Sequence, residues 1–174
     1  AGCGTGQHSI VTASRFINSQ VLAIDLSLSS LAYAKRKTLE FGINNIEYLQ
    51  ADILDLDKLN QKFDIIESSG VLHHMDNPMA GWKKLTDCLK PGGLLKIGLY
   101  SELARQKITE IRKEISKAGF KPSTDGLRSF RTHLVASNHE HLKQLIDSPD
   151  FYNTSELRDL LFHIQEHTFT IPQI

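Results

Sequence analysis

Three short stretches hold residue types that could bind or transform a ligand. The first, Ala1-Gly2-Cys3-Gly4-Thr5-Gly6, spaces three glycines two apart. Without a Cβ the backbone can reach positive φ and lie directly against a bound group. A helix starting near Gln7 would add unpaired N–H groups and the positive end of its dipole. Alone, this pattern fits either a nucleotide-like site or a tight structural turn. Gln7 stands where the dinucleotide fingerprint G-x-G-x-x-G needs its third glycine. The second stretch is the pair Asp25 and Asp52. Asp25 follows the loop at about the twenty residues that suit a ribose-binding carboxylate. Its other reading is a helix cap, and the two roles are compatible. Asp52 can accept from the exocyclic amine of an adenine, while Leu26 and Ile53 offer apolar faces for the ring. The third stretch, Gly70-Val71-Leu72-His73-His74, carries two imidazoles that can take a proton near neutrality. Packing and capping are the plain alternatives for both histidines.

These residues need elements to hold them. Val21-Leu22-Ala23-Ile24 reads as a buried strand ending at Asp25, followed by a helix capped by Ser27 or Ser29 that stops at Gly42. Ile46–Leu49 and Phe63–Glu67 are the next strands, with Ser68-Ser69-Gly70 closing the latter. Asp76 or Asn77, then Pro78, opens a helix reaching Leu89. Pro91-Gly92-Gly93 turns into the strand Leu94–Tyr100. Strands alternating with helices imply a parallel sheet in an α/β fold, doubly wound. Glycine loop and both acids then sit at strand ends beside one crevice.

After Tyr100 the pattern turns helical. Ala104, Ile108, Ile111, Ile115 and Ala118 form one apolar stripe ended by Gly119. From Arg105 to His133 there are eight Lys or Arg against three acids, read as the wet face of a helix and its loop because charge and stripe interleave. Leu142, Leu145 and Ile146 suggest a short helix, and Leu157, Leu160, Leu161 and Ile164 another, with Asn153 and Glu156 as a cap pair. Residues 1–100 are expected to form the binding core and 101–174 a helical extension on the substrate side.

The 174 residues suffice for about one domain. Lys plus Arg and Asp plus Glu balance at 20 each, so no global field recruits nucleic acid or an acidic membrane. Two cysteines, Cys3 and Cys88, fit a reducing compartment better than a disulfide framework. No apolar run approaches the roughly 20 residues of a membrane span, and a cytoplasmic location is expected.

The series AGCGTGQ, VLAIDLS, EYLQADIL, FDIIESSGVLHHM and LKPGGLLKIGLY resembles, in order, the motifs of class I (Rossmann-like) S-adenosylmethionine-dependent methyltransferases across residues 1–100. That resemblance implies S-adenosylmethionine as cofactor. Gly2, Gly4 and Gly6 would line its amino-acid end, and Asp25 would hold the ribose. Leu26 would pack on adenine, and Asp52 with Ile53 would meet the adenine edge. Ser68, Ser69 and Gly70 would lie beside the methionine moiety, with His73 and His74 as candidate catalytic bases. The family's glycine loop follows a strand, and a terminal hairpin completes its sheet. Both lie outside these residues, so the chain is expected to be a piece of a longer protein. The part after Tyr100 is similar to bacterial proteins joining tetratricopeptide repeats to a methyltransferase.

The Pro-Pro motif of DNA amino-methylating enzymes is replaced here by Glu67-Ser68-Ser69-Gly70. Cys88 falls in a helix, away from any Pro-Cys nucleophile. Gly70–His74 instead resembles enzymes acting on small molecules, so the expected acceptor is a small molecule or a protein and no nucleic-acid partner is expected. A dehydrogenase fails on Gln7. His163-Ile164-Gln165-Glu166-His167 spells the inverted zinc-protease motif H-x-x-E-H, but no downstream ligand follows and no metal is expected; His139-Glu140-His141 is no better. A fold kept as a cofactor-sensing or interaction module is the rival class, opposed by the pairing of Asp25 with Asp52.

Overall fold

The structure, a computed structural model, describes residues 1–136 and 145–174. Leu142 and the His139-Glu140-His141 stretch lie outside the described residues. Two compact units emerge, Ala1–Leu99 and Tyr100–Ile174.

In the first unit, helix α1 (Gln7–Arg15) follows the glycine loop. Strand β1 (Val21–Asp25), helix α2 (Leu28–Glu40) and strand β2 (Ile46–Gln50) make one crossover unit. A 3₁₀ turn, Ile53–Leu59, leads to strand β3 (Phe63–Ser69), and a second, Leu72–His74, leads to helix α3 (Pro78–Asp87) and strand β4 (Leu89–Gly98). Both strand pairs are parallel, β1 with β2 and β3 with β4. The strands form two two-stranded pieces, in keeping with an α/β sheet whose strand before the glycine loop lies outside these residues. No described residues lie as a strand between β1 and β3. Instead the first residues bridge them: the Ala1 nitrogen donates to the Glu67 carbonyl at 2.6 Å. Gly2 and Cys3 N–H donate to the Ile24 carbonyl at 2.8 and 2.9 Å.

The caps follow from residue chemistry. Ser27 accepts from Ser30 N–H and opens α2. Asn77 accepts from Ala80 N–H, with Pro78 in the first turn of α3, where its missing N–H costs nothing. The β3–β4 ladder steps from Phe63 opposite Leu89 to Ile65 opposite Leu94. Residues 90–93 bulge out at that step, so Pro91-Gly92-Gly93 interrupts β4 from within. Ile24, Ile53, Leu56, Ile66, Leu72 and Leu85 form the main core of this unit.

In the second unit, helix α4 (Glu102–Ala118) is capped by Ser101 and ended by Gly119. Helix α5 spans Thr124–Ala136, α6 Pro149–Tyr152 and α7 Thr154–Phe162. Helix α5 lies where the sequence points to a loop; its buried Leu127, Phe130 and Leu134 form the stripe that organises it. These residues join Ile111, Ile115, Phe151, Leu157 and Leu161 in one core. Asn153 caps α7, accepting from Ser155 and Glu156 N–H.

Helix α7 ends at Phe162, and His163 is already extended. The H-x-x-E-H pattern therefore does not lie on a helix, and its histidines share no helical face. The chain runs on as a strap that pairs with Tyr100–Glu102: Phe169 N–H donates to the Tyr100 carbonyl at 2.9 Å and Glu102 N–H to the Phe169 carbonyl at 3.0 Å. Glu166, with a side chain only 6% exposed, is gripped by Arg105 at 2.9 Å and Arg112 at 2.8 Å. Arg112 also donates to the His163 carbonyl. The Arg105 guanidinium lies 3.5 Å from the centre of the Tyr100 ring. No helix among the described residues is long and apolar enough to cross a membrane.

Candidate functional site

The glycine loop is built by its own conformation. Gly6 caps α1 in the left-handed region at φ 86°, with no side-chain cap. A Cβ there would meet the Ala34 Cβ at 2.6 Å, so Gly6 also sets how closely α1 approaches α2. Gly4, at φ 51°, differs: nothing lies within 4 Å of an added Cβ. Its vacant side is open to a ligand. A Cβ on Gly2 would overlap Val71, so the loop after β3 packs directly on the loop before α1.

Asp25 ties these parts together. Its Oδ2 accepts from Gly4 N–H at 2.7 Å and its Oδ1 from Ser27 N–H at 2.8 Å. A carboxylate offers about four lone-pair sites, so two remain for hydroxyl donors. Asp52 likewise accepts from Leu54 N–H at 2.9 Å and caps the 3₁₀ turn. Both acids thus have structural work before any ligand arrives, and their joint presence does not by itself exclude a non-catalytic module. Burial, reinforced by the Asp25 charge, pushes the Cys3 thiol up to about 11.

Beyond the ends of β1 and β2 lies a groove of about 410 Å³ lined by Leu26, Gln50, Ala51, Asp52, Asp55, Lys58 and Leu59. Leu26 is 66% exposed, an apolar shelf facing carboxylates. Asp55 and Lys58 pair at 2.7 Å on the rim. The structure thus brings Leu26 and Asp52 together in the lining of one groove. Ile53 does not line the groove: it is buried in the core of the unit. Gln50, Asp55, Lys58 and Leu59 were absent from the sequence reading. No periodicity marks Gln50, because β2 ends there and Asp52 already caps the next turn.

At the end of β3, Ser68 is buried with no hydrogen-bond partner for its hydroxyl among the described residues, whereas Ser69 and Gly70 are exposed. His73 is only 1% exposed, and His74 is half-buried. Their rings meet edge to face at 4.3 Å between centroids.

Residues 1–93 match the protein family described as a methyltransferase domain. The chain is 35% identical over 117 residues to the protein syc1184_c of Synechococcus, covering 67% of this chain and 28% of that protein. It is 26% identical over 159 residues to a malonyl-[acyl-carrier protein] O-methyltransferase of Marinomonas, covering 86% of this chain and 57% of that enzyme. The solved structure of PKMT2 from Rickettsia typhi in complex with AdoHcy is 25% identical, with a TM-score of 0.77 over 99% of this chain and 36% of that one. The chain therefore spans less than two thirds of each of these proteins.

Proposed function

Because the chain belongs to the methyltransferase-domain family, we propose that it binds S-adenosylmethionine and serves methyl transfer to a small-molecule acceptor. The observation that carries this reading is the open, Cβ-free side of Gly4 joined through Asp25 to the groove below Leu26. Bound there, the cofactor supplies an electrophilic methyl group on a sulfonium, released by in-line displacement.

The chain's own residues do the rest. The loop Gly2–Gly6 admits the amino-acid end of the ligand against bare backbone. Asp25 accepts from the ribose hydroxyls with the lone pairs left over from Gly4 and Ser27. Leu26 covers one face of the adenine, and Asp52 accepts from its exocyclic amine. Ser69 and Gly70, exposed at the end of β3, flank the methionine moiety, with Ser68 and Ile53 supporting from within. His74 takes a proton from an acceptor that arrives protonated, backed by the buried His73. Positioning supplies most of the acceleration in such a displacement. The second unit selects the acceptor in this reading, and a cytoplasmic setting suits its free thiols.

Calorimetry with S-adenosylhomocysteine tests the cofactor site. Asp25→Ala removes both ribose acceptors and the loop anchor, and should weaken binding roughly 100-fold, about 2.7 kcal/mol. Unchanged affinity overturns the site. Radiolabelled methyl transfer into separated metabolite and protein pools tests the activity. Label in protein alone overturns the small-molecule acceptor. Binding without any turnover favours a cofactor-sensing module.

A further inference from the structure

Leu26, the most exposed apolar residue lining the groove, sits on a loop, and a loop side chain is only as precise as the backbone that carries it. Leu26 sits between two held residues. Asp25 is fixed through both carboxylate oxygens, and Ser27 is fixed by Asp25 and by its place as the cap of α2. From the neighbouring strand, Gln50 reaches across: its Nε2 donates to the Leu26 carbonyl at 2.9 Å. Asp25 and Gln50 are the last register partners of β1 and β2. Beyond them only Ala51 N–H, bonded to the Asp25 carbonyl at 3.2 Å, continues the ladder. The Gln50 amide therefore extends sheet pairing one residue past the point where the strands part, at the residue that carries the shelf.

Resting on the reading of this groove as the adenosine site, we propose that Gln50 is a positioning residue that sets cofactor affinity by fixing the Leu26 main chain so its side chain stays flat against the adenine. Gln50 is itself exposed, so its replacement does not open the core. The amide is needed as a donor. A carboxylate in its place has the same reach but only accepts, and would repel the Leu26 carbonyl.

The test is a double-mutant cycle read by S-adenosylhomocysteine affinity in the protein. Gln50→Leu and Gln50→Glu should each weaken binding roughly tenfold, with thermal unfolding of the ligand-free protein unchanged. Leu26→Ala should weaken it by a similar factor. In the Leu26→Ala background, Gln50→Leu should change affinity less than twofold, because no shelf remains to position. A full tenfold loss in that background overturns the proposal and makes Gln50 a direct ligand contact. Wild-type affinity in Gln50→Glu overturns it as well, by removing the need for a donor. Failure of the unaltered protein to bind S-adenosylhomocysteine refutes the adenosine reading itself, a result separate from both.

Discussion

At the site of the first unit, the ties run from side chains to main-chain groups. Asp25 holds Gly4 and Ser27, Asp52 holds Leu54, and Gln50 holds Leu26. In the second unit, ties from side chain to side chain stand beside the main-chain bonds of the strap. Glu166 lies between Arg105 and Arg112, and Phe130 packs edge to face on Phe162 at 5.8 Å. Side-chain-to-backbone bonds fix the path of a loop while leaving its surface open. The buried ion pairs fasten the strap to α4, the aromatic contact joins α5 to the end of α7, and both spend their side chains inside the unit. The contrast teaches where recognition of a small ligand can be built: on residues whose backbone is fastened and whose side chain is not.

The largest effect that could break this comparison lies in the second unit. Glu166→Ala strands two arginines, of which Arg105 is almost wholly buried. Loss of one partner from a buried pair costs about 3 kcal/mol or more, and urea unfolding followed by a probe in α7 should register it. Affinity for S-adenosylhomocysteine should stay as it was. A matching fall in affinity would mean that the two units are not separate in their work.

Next come the glycines. Gly6→Ala combines left-handed strain with an overlap on Ala34 and should destabilise the first unit by about 2–3 kcal/mol. Gly4→Ala meets no neighbour and should cost only about 1 kcal/mol. In the proposed site its methyl group would project into the space left for the ligand, so affinity should fall far more than stability. Equal losses of stability in the two variants would show that Gly4 is packed, contrary to its open side.

The smallest effect concerns pH. The Cys3 thiol is raised from 9.0 to about 11, first by burial and then by the Asp25 charge. A raised pKa favours the protonated folded form. Its contribution to stability is complete below pH 9 and declines as pH rises through about 11. Alkylation of Cys3, mapped by mass spectrometry, should lag behind that of a free thiol over this range. Cys3→Ala should flatten the alkaline limb of the stability curve. Alkylation at the free-thiol rate would place Cys3 outside the packed loop.

Much of this was legible in the sequence because local chemistry and tertiary packing agreed. Val21–Asp25 is a continuous apolar run closed by an acid, and it forms β1 within those bounds. The stripe from Ala104 to Ala118 and the stop at Gly119 become α4 with its left-handed cap. The class I methyltransferase resemblance read from the motif order agrees with the family match over residues 1–93. Other features depend on distant partners. Helix α5 begins just after Pro122 and Ser123 and contains Gly126, all turn-like in sequence, and it is held by tertiary burial of Leu127, Phe130 and Leu134. His163–His167 looks helical by spacing alone. Arg105 and Arg112, more than fifty residues earlier, draw it into an extended strap. Gln50 escaped notice because its bond goes to a carbonyl, a group that every residue has.

The double service of Asp25 has an evolutionary corollary. A descendant in which the proposed activity was lost would still need that carboxylate to fasten Gly4 and Ser27. Selection for folding alone would preserve the aspartate long after the chemistry had gone. Inheritance of Asp25 therefore records the architecture of the loop. The left-handed turn favours glycine at position 4 by only about 1 kcal/mol, so its unobstructed flank is where the loss of a ligand would first be written.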